Sequence, residues 1–232
     1  MGLSHSPSIV MDGLILCLDP GNNRSYPGSS SAFTDLSLSS NNATLANNPT
    51  FSSNNGGYFS FDGTDDLIYT SILYTNNPQN FTLCLYFRTS SASGKKLIGF
   101  ENSQSGTATN YDRQLYVGTN GKVIFGIHPG GVQIMSTTTS VNDNTWRYVA
   151  ATYDGLNSTV YINGIGETTR TFAYAQSYNG YWRIGSAALG GWPNSNTGSF
   201  VGDIAQVQIY NRALSAAEIK QNYNATKKRY GL

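Results

Sequence analysis

The sequence predicts an all-β fold, a two-sheet antiparallel jelly-roll sandwich with one short C-terminal helix. Three observations predict it. Asn, Ser, Thr and Gly fill roughly two positions in five, and charged residues make up 12 % against about 25 % in an average domain; this is a composition of strands and turns. Turn clusters recur at short intervals, with runs of period two between them. Only one segment carries the signature of a helix start.

The turn clusters are Pro20-Gly-Asn-Asn, Pro27-Gly-Ser-Ser-Ser, Ser52-Ser-Asn-Asn-Gly-Gly57, Asp62-Gly-Thr-Asp-Asp, Asn76-Asn-Pro, Gly130-Gly, Asp154-Gly and Asn163-Gly. Between them Phe81, Leu83, Leu85 and Phe87 alternate with Thr82, Cys84, Tyr86 and Arg88, and Trp146, Tyr148 and Ala150 alternate with Arg147, Val149 and Ala151. Such alternation marks strands with two distinct faces. Gln114–Ile127 reads as a hairpin, in which Asn120-Gly121 supplies the two positive-φ positions of a type I′ turn. A second hairpin joins Arg147–Tyr153 to Thr159–Ile162. Ser215-Ala-Ala-Glu218 is a capping box, with Leu214 and Ile219 at the staple positions and Ile219 and Tyr223 on one face. These predict one or two helical turns against the sandwich edge. Long exposed helices have little to draw on, since the only Glu residues are Glu101, Glu167 and Glu218.

A chain of 232 residues fits one large all-β sandwich of roughly 200–250 residues. It is large enough to bury about 70 % of its unfolded surface without a disulfide or metal. One domain is expected over residues 9–225, between a flexible leader, 1–8, and a basic tail, 226–232. A net charge of +1 gives no field to attract nucleic acid or an anionic membrane. No apolar run approaches the roughly 18 residues of a membrane helix, and Met1-Gly-Leu-Ser-His-Ser-Pro7 has no signal-peptide pattern. The expectation is a chain without an export address or membrane insertion. Cys17 and Cys84 fall in strand-like runs with no zinc spacing, and are expected as free buried thiols.

The stretches Trp146-Arg-Tyr-Val-Ala-Ala-Thr-Tyr-Asp154, Val160-Tyr-Ile-Asn-Gly164 and Phe200–Ile219, with Phe59-Ser-Phe-Asp-Gly-Thr-Asp-Asp66 near the front, resemble the laminin-G-like members of the concanavalin A-like lectin/glucanase superfamily. The opening, Asp12–Asn22, and the ending, Gln221–Leu232, resemble stand-alone laminin-G-like virion proteins of tailed phages, particularly marine ones. The resemblance implies a non-enzymatic virion structural protein, a capsid decoration or a tail or fibre component, assembled in the host cytoplasm. Its implied partners are other virion proteins or copies of itself in a homo-oligomer, with surface glycans as a further class. The alternative reading is a carbohydrate-binding adhesion module acting independently of a particle, and the third a degenerate glycosidase.

The residues for catalysis are not in place. Glycosidases need two carboxylates flanking the bond, and the relatives of this superfamily that carry them mount a Glu-x-Asp-x-(x)-Glu cluster on one strand, which this chain lacks. The only histidines are His5 and His128, and no Gly-x-Ser-x-Gly is present for a nucleophilic serine. No cofactor motif is found and no catalytic residue is assigned. Many relatives hold calcium with an early Asp-x-Ser-Gly-Asn-Gly-Asn loop and an Ile-Asp-Glu-Val strand. Here the matching segments are Asp35-Leu-Ser-Leu-Ser-Ser-Asn-Asn42 and Ile204-Ala-Gln-Val207, so no metal site is assigned, and Asp35, Asn41 and Asn42 are what such a site would retain. Sugar recognition needs an aromatic face and planar amides. Trp192, Asn194, Tyr178 and Tyr181 are the carbohydrate-binding candidates, with Trp192 foremost.

Overall fold

The computed structural model describes residues 7–93, 95–186, 188–196 and 199–232; most of the expected leader, residues 1–6, lies outside them. In chain order the strands are β1 (Leu14–Leu18), β2 (Ala32–Phe33), β3 (Ala43–Ala46), β4 (Thr50–Ser52), β5 (Tyr58–Asp62), β6 (Leu67–Thr70), β7 (Phe81–Arg88) and β8 (Lys95–Glu101). They continue with β9 (Tyr111–Val117), β10 (Lys122–Ile127), β11 (Gln133–Ser140), β12 (Arg147–Tyr153), β13 (Asn157–Ile162), β14 (Ile165–Thr171), β15 (Tyr181–Ile184) and β16 (Val201–Tyr210). One helix, α1 (Ala216–Thr226), follows.

Two antiparallel eight-stranded sheets result. Sheet I runs β14-β13-β12-β7-β16-β5-β4, with β1 beside the second half of β16, and sheet II runs β11-β10-β9-β8-β15-β6-β3-β2. The expected alternation is observed: Phe81, Leu83, Leu85 and Phe87 face the core between the sheets, while Cys84 and Tyr86 face outward. Outward here does not mean solvent. A second apolar layer, with Leu214, Ile219, Tyr223 and Tyr230, covers the outer face of sheet I. Tyr230 stacks on Tyr86 with ring centroids 4.0 Å apart.

The helix begins as its sequence dictates. Ser215 Oγ accepts the Glu218 amide and the Glu218 carboxylate accepts the Ser215 amide at 2.8 Å. Arg212 then clamps the same carboxylate with two bonds, 3.1 and 2.6 Å, and this pulls the Glu218 pKa down to about 2. The helix is longer than one or two turns, with 11 residues, and lies on the sheet face rather than the edge, because Ile219, Asn222, Tyr223 and Thr226 are all buried there. The expected basic tail, 226–232, belongs to the domain. Lys227–Tyr230 form a 3₁₀ turn, and Arg229 forks onto both oxygens of Asp19 at 2.7 Å, a bidentate geometry that fixes direction as well as distance.

Turn chemistry also places one motif differently. Gly118–Gly121 close the β9–β10 hairpin, with the Gly121 amide on the Gly118 carbonyl at 2.9 Å. Gly121 has φ 72° and Asn120 is not among the positive-φ residues, so the loop is a three-residue turn ending in a left-handed glycine rather than type I′. The two-residue turn with both positions at positive φ sits instead between β13 and β14, at Asn163 (52°) and Gly164 (74°). Trp146 packs against Tyr58, Tyr230 and the Arg88 guanidinium; its indole N–H meets no acceptor among the described residues.

Cys17 and Cys84 are free and buried. Both neighbour Gln208, Cys17 across the β1–β16 ladder and Cys84 across the β16–β7 ladder. No helix among the described residues is long and apolar enough to cross a membrane.

Candidate functional site

A cavity of about 430 Å³ opens at one end of the sandwich. Its walls come from four places: Ile15 on β1, Ser39 and Asn41 before β3, residues 72–80 between β6 and β7, and Tyr210 with Asn211 at the end of β16. Phe81 and Trp182 back it from the core.

The loop over residues 72–80 is held from behind. Buried Arg113 donates to the Pro78 carbonyl at 2.7 Å and to Asn77 Oδ1 at 2.6 Å, and its guanidinium lies over the Phe100 ring at 5.0 Å. Gln79 pairs both ends of its carboxamide with the Ala175 backbone, at 3.0 and 3.1 Å. Tyr74 exchanges two backbone bonds with Gly180 and leans on Phe100 and Trp182. Its hydroxyl pairs with the Asn41 carboxamide, and burial, reinforced by the nearby Asp35 carboxylate, raises its pKa. With these groups satisfied internally, the exposed carboxamides of Asn76, Asn80 and Asn211 remain at the cavity with no hydrogen-bond partner among the described residues. Each offers two donors and an acceptor.

The candidates from sequence fall elsewhere. Trp192 is only 4 % exposed, packed edge-on to Tyr116 and beside Ile124 and Leu189 on the outer face of sheet II. Gly126 admits it: a Cβ there would stand 2.9 Å from the indole ring. Tyr178 stacks over Phe100 and donates to the Phe100 carbonyl at 2.6 Å; Tyr181 is half-buried on β15 beside Glu101. Asn194 is exposed, with its backbone carbonyl bound to the Thr119 amide. None of the four lines the end cavity. Trp192 lines a smaller one of about 180 Å³ with His128, Gln176 and Tyr111.

The Asp35 oxygens are engaged by protein donors. They accept the Cys17 amide (2.7 Å), the Ser37 amide (2.9 Å), the Ser37 hydroxyl (2.6 Å) and the Asn41 amide (2.9 Å), and Asn42 Oδ1 accepts the Asp35 amide. A carboxylate has about four acceptor positions, and here protein donors fill them. Asp35 therefore organises the 35–42 loop that forms one cavity wall. Asp62 caps its turn, accepting the Thr64 amide at 2.7 Å.

Each Glu has a structural partner set. Glu101 is fully buried under loops on the outer face of sheet II, paired with Lys96 and, at 2.8 Å, with Arg183; burial lowers the Lys96 pKa to about 8 against the pull of Glu101. Glu167 joins the free edges of the sheets by accepting the amides and hydroxyls of Thr138 and Thr139. Glu218 caps the helix.

A two-sheet sandwich with an amide-rimmed groove at one end is a lectin-like fold. The chain belongs to the concanavalin A-like lectin/glucanases superfamily, whose laminin-G family model matches residues 61–220. No curated protein matches the sequence. Among solved structures it is similar to domain 4 of AbnA, an extracellular arabinanase of Geobacillus stearothermophilus in complex with arabinotriose, at 15 % identity and TM-score 0.69 over 92 % of this chain and 100 % of that one. It is also similar to the receptor-binding domain of botulinum neurotoxin type G (16 %, TM-score 0.65, 91 % of this chain and 51 % of that one). A Trypanosoma rangeli sialidase in complex with the inhibitor DANA matches at 15 % and TM-score 0.69, over 97 % of this chain and 36 % of that one. The chain thus spans about half the neurotoxin domain and about a third of the sialidase.

Proposed function

We propose that this chain is a non-catalytic, lectin-like recognition module that holds a surface glycan in the end groove. Its display would be the virion surface that its opening and ending segments resemble, where repeated copies would convert a weak site into firm attachment. The observation that carries the reading is the set of uncommitted, exposed carboxamides of Asn76, Asn80 and Asn211 on one cavity. Fixed planar amides beside apolar walls are what an otherwise unaided protein needs to hold sugar hydroxyls. Two further features support it. All three Glu side chains are bound to structural partners, which supports a role without acid–base chemistry. The domain whose full length this chain matches is described in complex with arabinotriose, which makes that sugar a reasonable first probe.

The test is a saccharide-binding screen on the wild type and on the double variant N80A/N211A. Removal of two neutral hydrogen-bonding groups at about 0.5–1.5 kcal/mol each is expected to weaken binding about tenfold or more. The melting temperature should stay unchanged, because both residues are exposed. Retained affinity in the double variant would move the site away from the groove.

A further inference from the structure

We infer that the end groove selects an uncharged saccharide bearing a methyl group, of the acetamido or 6-deoxy class; this rests on the glycan-binding reading above. The first ground is charge. None of the residues lining the cavity is ionised at neutral pH: they are amides, hydroxyls and hydrocarbons. The flanking sequence has the same character, since no Asp, Glu, Lys or Arg occurs from 36 to 61 or from 67 to 87. Charged groups beside the walls are already paired or bonded: Asp35 by four donors, Arg113 by carbonyl oxygens and the adjacent Asp112, and Arg212, which follows Asn211, by Asp12 and Glu218. A sialic acid or uronic acid placed here would give up water around its carboxylate without gaining a cation, and an unpaired buried charge is strongly disfavoured.

The second ground is the apolar side of the groove. Ile15, Ile72 and Phe81 share the lining with the amides, and Ile72 is 44 % exposed and its neighbour Leu73 42 %. A fully hydroxylated ring can engage the amides but leaves this apolar strip wet; a methyl substituent covers it. The Asn41 carboxamide adds a polar group: one end pairs with the Tyr74 hydroxyl and its Oδ1 has no donor among the described residues. An acetamido N–H is a donor of the kind that position lacks.

The experiment is calorimetric titration of the whole chain with chitotriose peracetylated at nitrogen, with cellotriose, and with sialyllactose, at two salt concentrations, repeated on I72S. The N-acetylated sugar is expected to bind about tenfold tighter than cellotriose, the discrimination a single buried methyl supplies. Sialyllactose should bind no better than cellotriose, salt should have no effect, and I72S should remove the preference while retaining the fold by circular dichroism. Equal binding of the N-acetylated sugar and cellotriose, or tighter binding of the acidic sugar, would overturn this inference and leave the glycan-binding reading standing. Absence of binding by all three sugars, by a panel of 6-deoxy sugars and by arabinotriose would overturn both.

Discussion

Residues 74–80 and residues 174–194 have nearly the same chemical vocabulary of Tyr, Asn and Gln, with Trp in the second, yet the first lines a groove of about 430 Å³ and the second one of about 180 Å³. In the second, Tyr178 donates to Phe100, Trp192 is sunk over Gly126, and Gln176 meets Asp112 and Arg113 through its backbone. In the first, Arg113, Gln79 and Tyr74 anchor the loop, so Asn76 and Asn80 are left facing outward. A binding surface is thus identified by which polar groups remain unsatisfied after the fold has used the others, and not by which residue types a segment contains.

The largest effect on this contrast is expected from R113A. It removes the anchor shared by the two segments and leaves Asp112 buried without its cation, a loss of about 3–5 kcal/mol. Denaturant unfolding should show it directly, and a loss below 1 kcal/mol would break the view that the groove loop hangs on this residue. Next is W192A, which empties a packed site on sheet II and should cost about 3 kcal/mol while leaving saccharide affinity unchanged. Loss of binding without loss of stability would reverse the contrast and restore Trp192 as the platform. The smallest effect concerns pH. The only side chains lining the groove that titrate are Tyr74 and Tyr210, both raised by burial, so affinity should be flat from about pH 5 to 9. Stability should not be flat in acid. The Glu218 pKa is lowered by Arg212 from 4.5 to about 2, so its contribution is present above pH 4.5 and is lost as pH falls towards 2. Thermal melts and titrations across that range separate the two.

The fold was largely legible in the sequence, because period-two alternation in β7 and β12 and the Ser215–Glu218 box are local signals that the tertiary structure keeps. The turns were less so. Asn120-Gly121 and Asn163-Gly164 are the same dipeptide, and only the register of the flanking strands decides which becomes type I′. The tail misled for a related reason: Lys227-Lys-Arg229 reads as a solvated charge run until Asp19, 210 positions away, supplies its partner. The groove was hardest, since Asn76-Asn-Pro signals a turn and nothing local states that its amides stay free while Tyr178 and Trp192 are covered. A signal was present in the charge-free run from 67 to 87, which is unusual for an exposed loop and its flanks.

The ladder Cys17–Gln208–Cys84 has a consequence for the environments in which the fold can exist. Two strand spacings separate the sulfur-bearing residues, about 9.6 Å at 4.8 Å each, beyond the roughly 7 Å that a disulfide can bridge. Burial also pushes both thiols up to about 12, so almost no thiolate exists to react with oxidants. The two cysteines of the folded chain therefore cannot pair with each other and offer little thiolate to an oxidant, in a reducing and an oxidising medium alike.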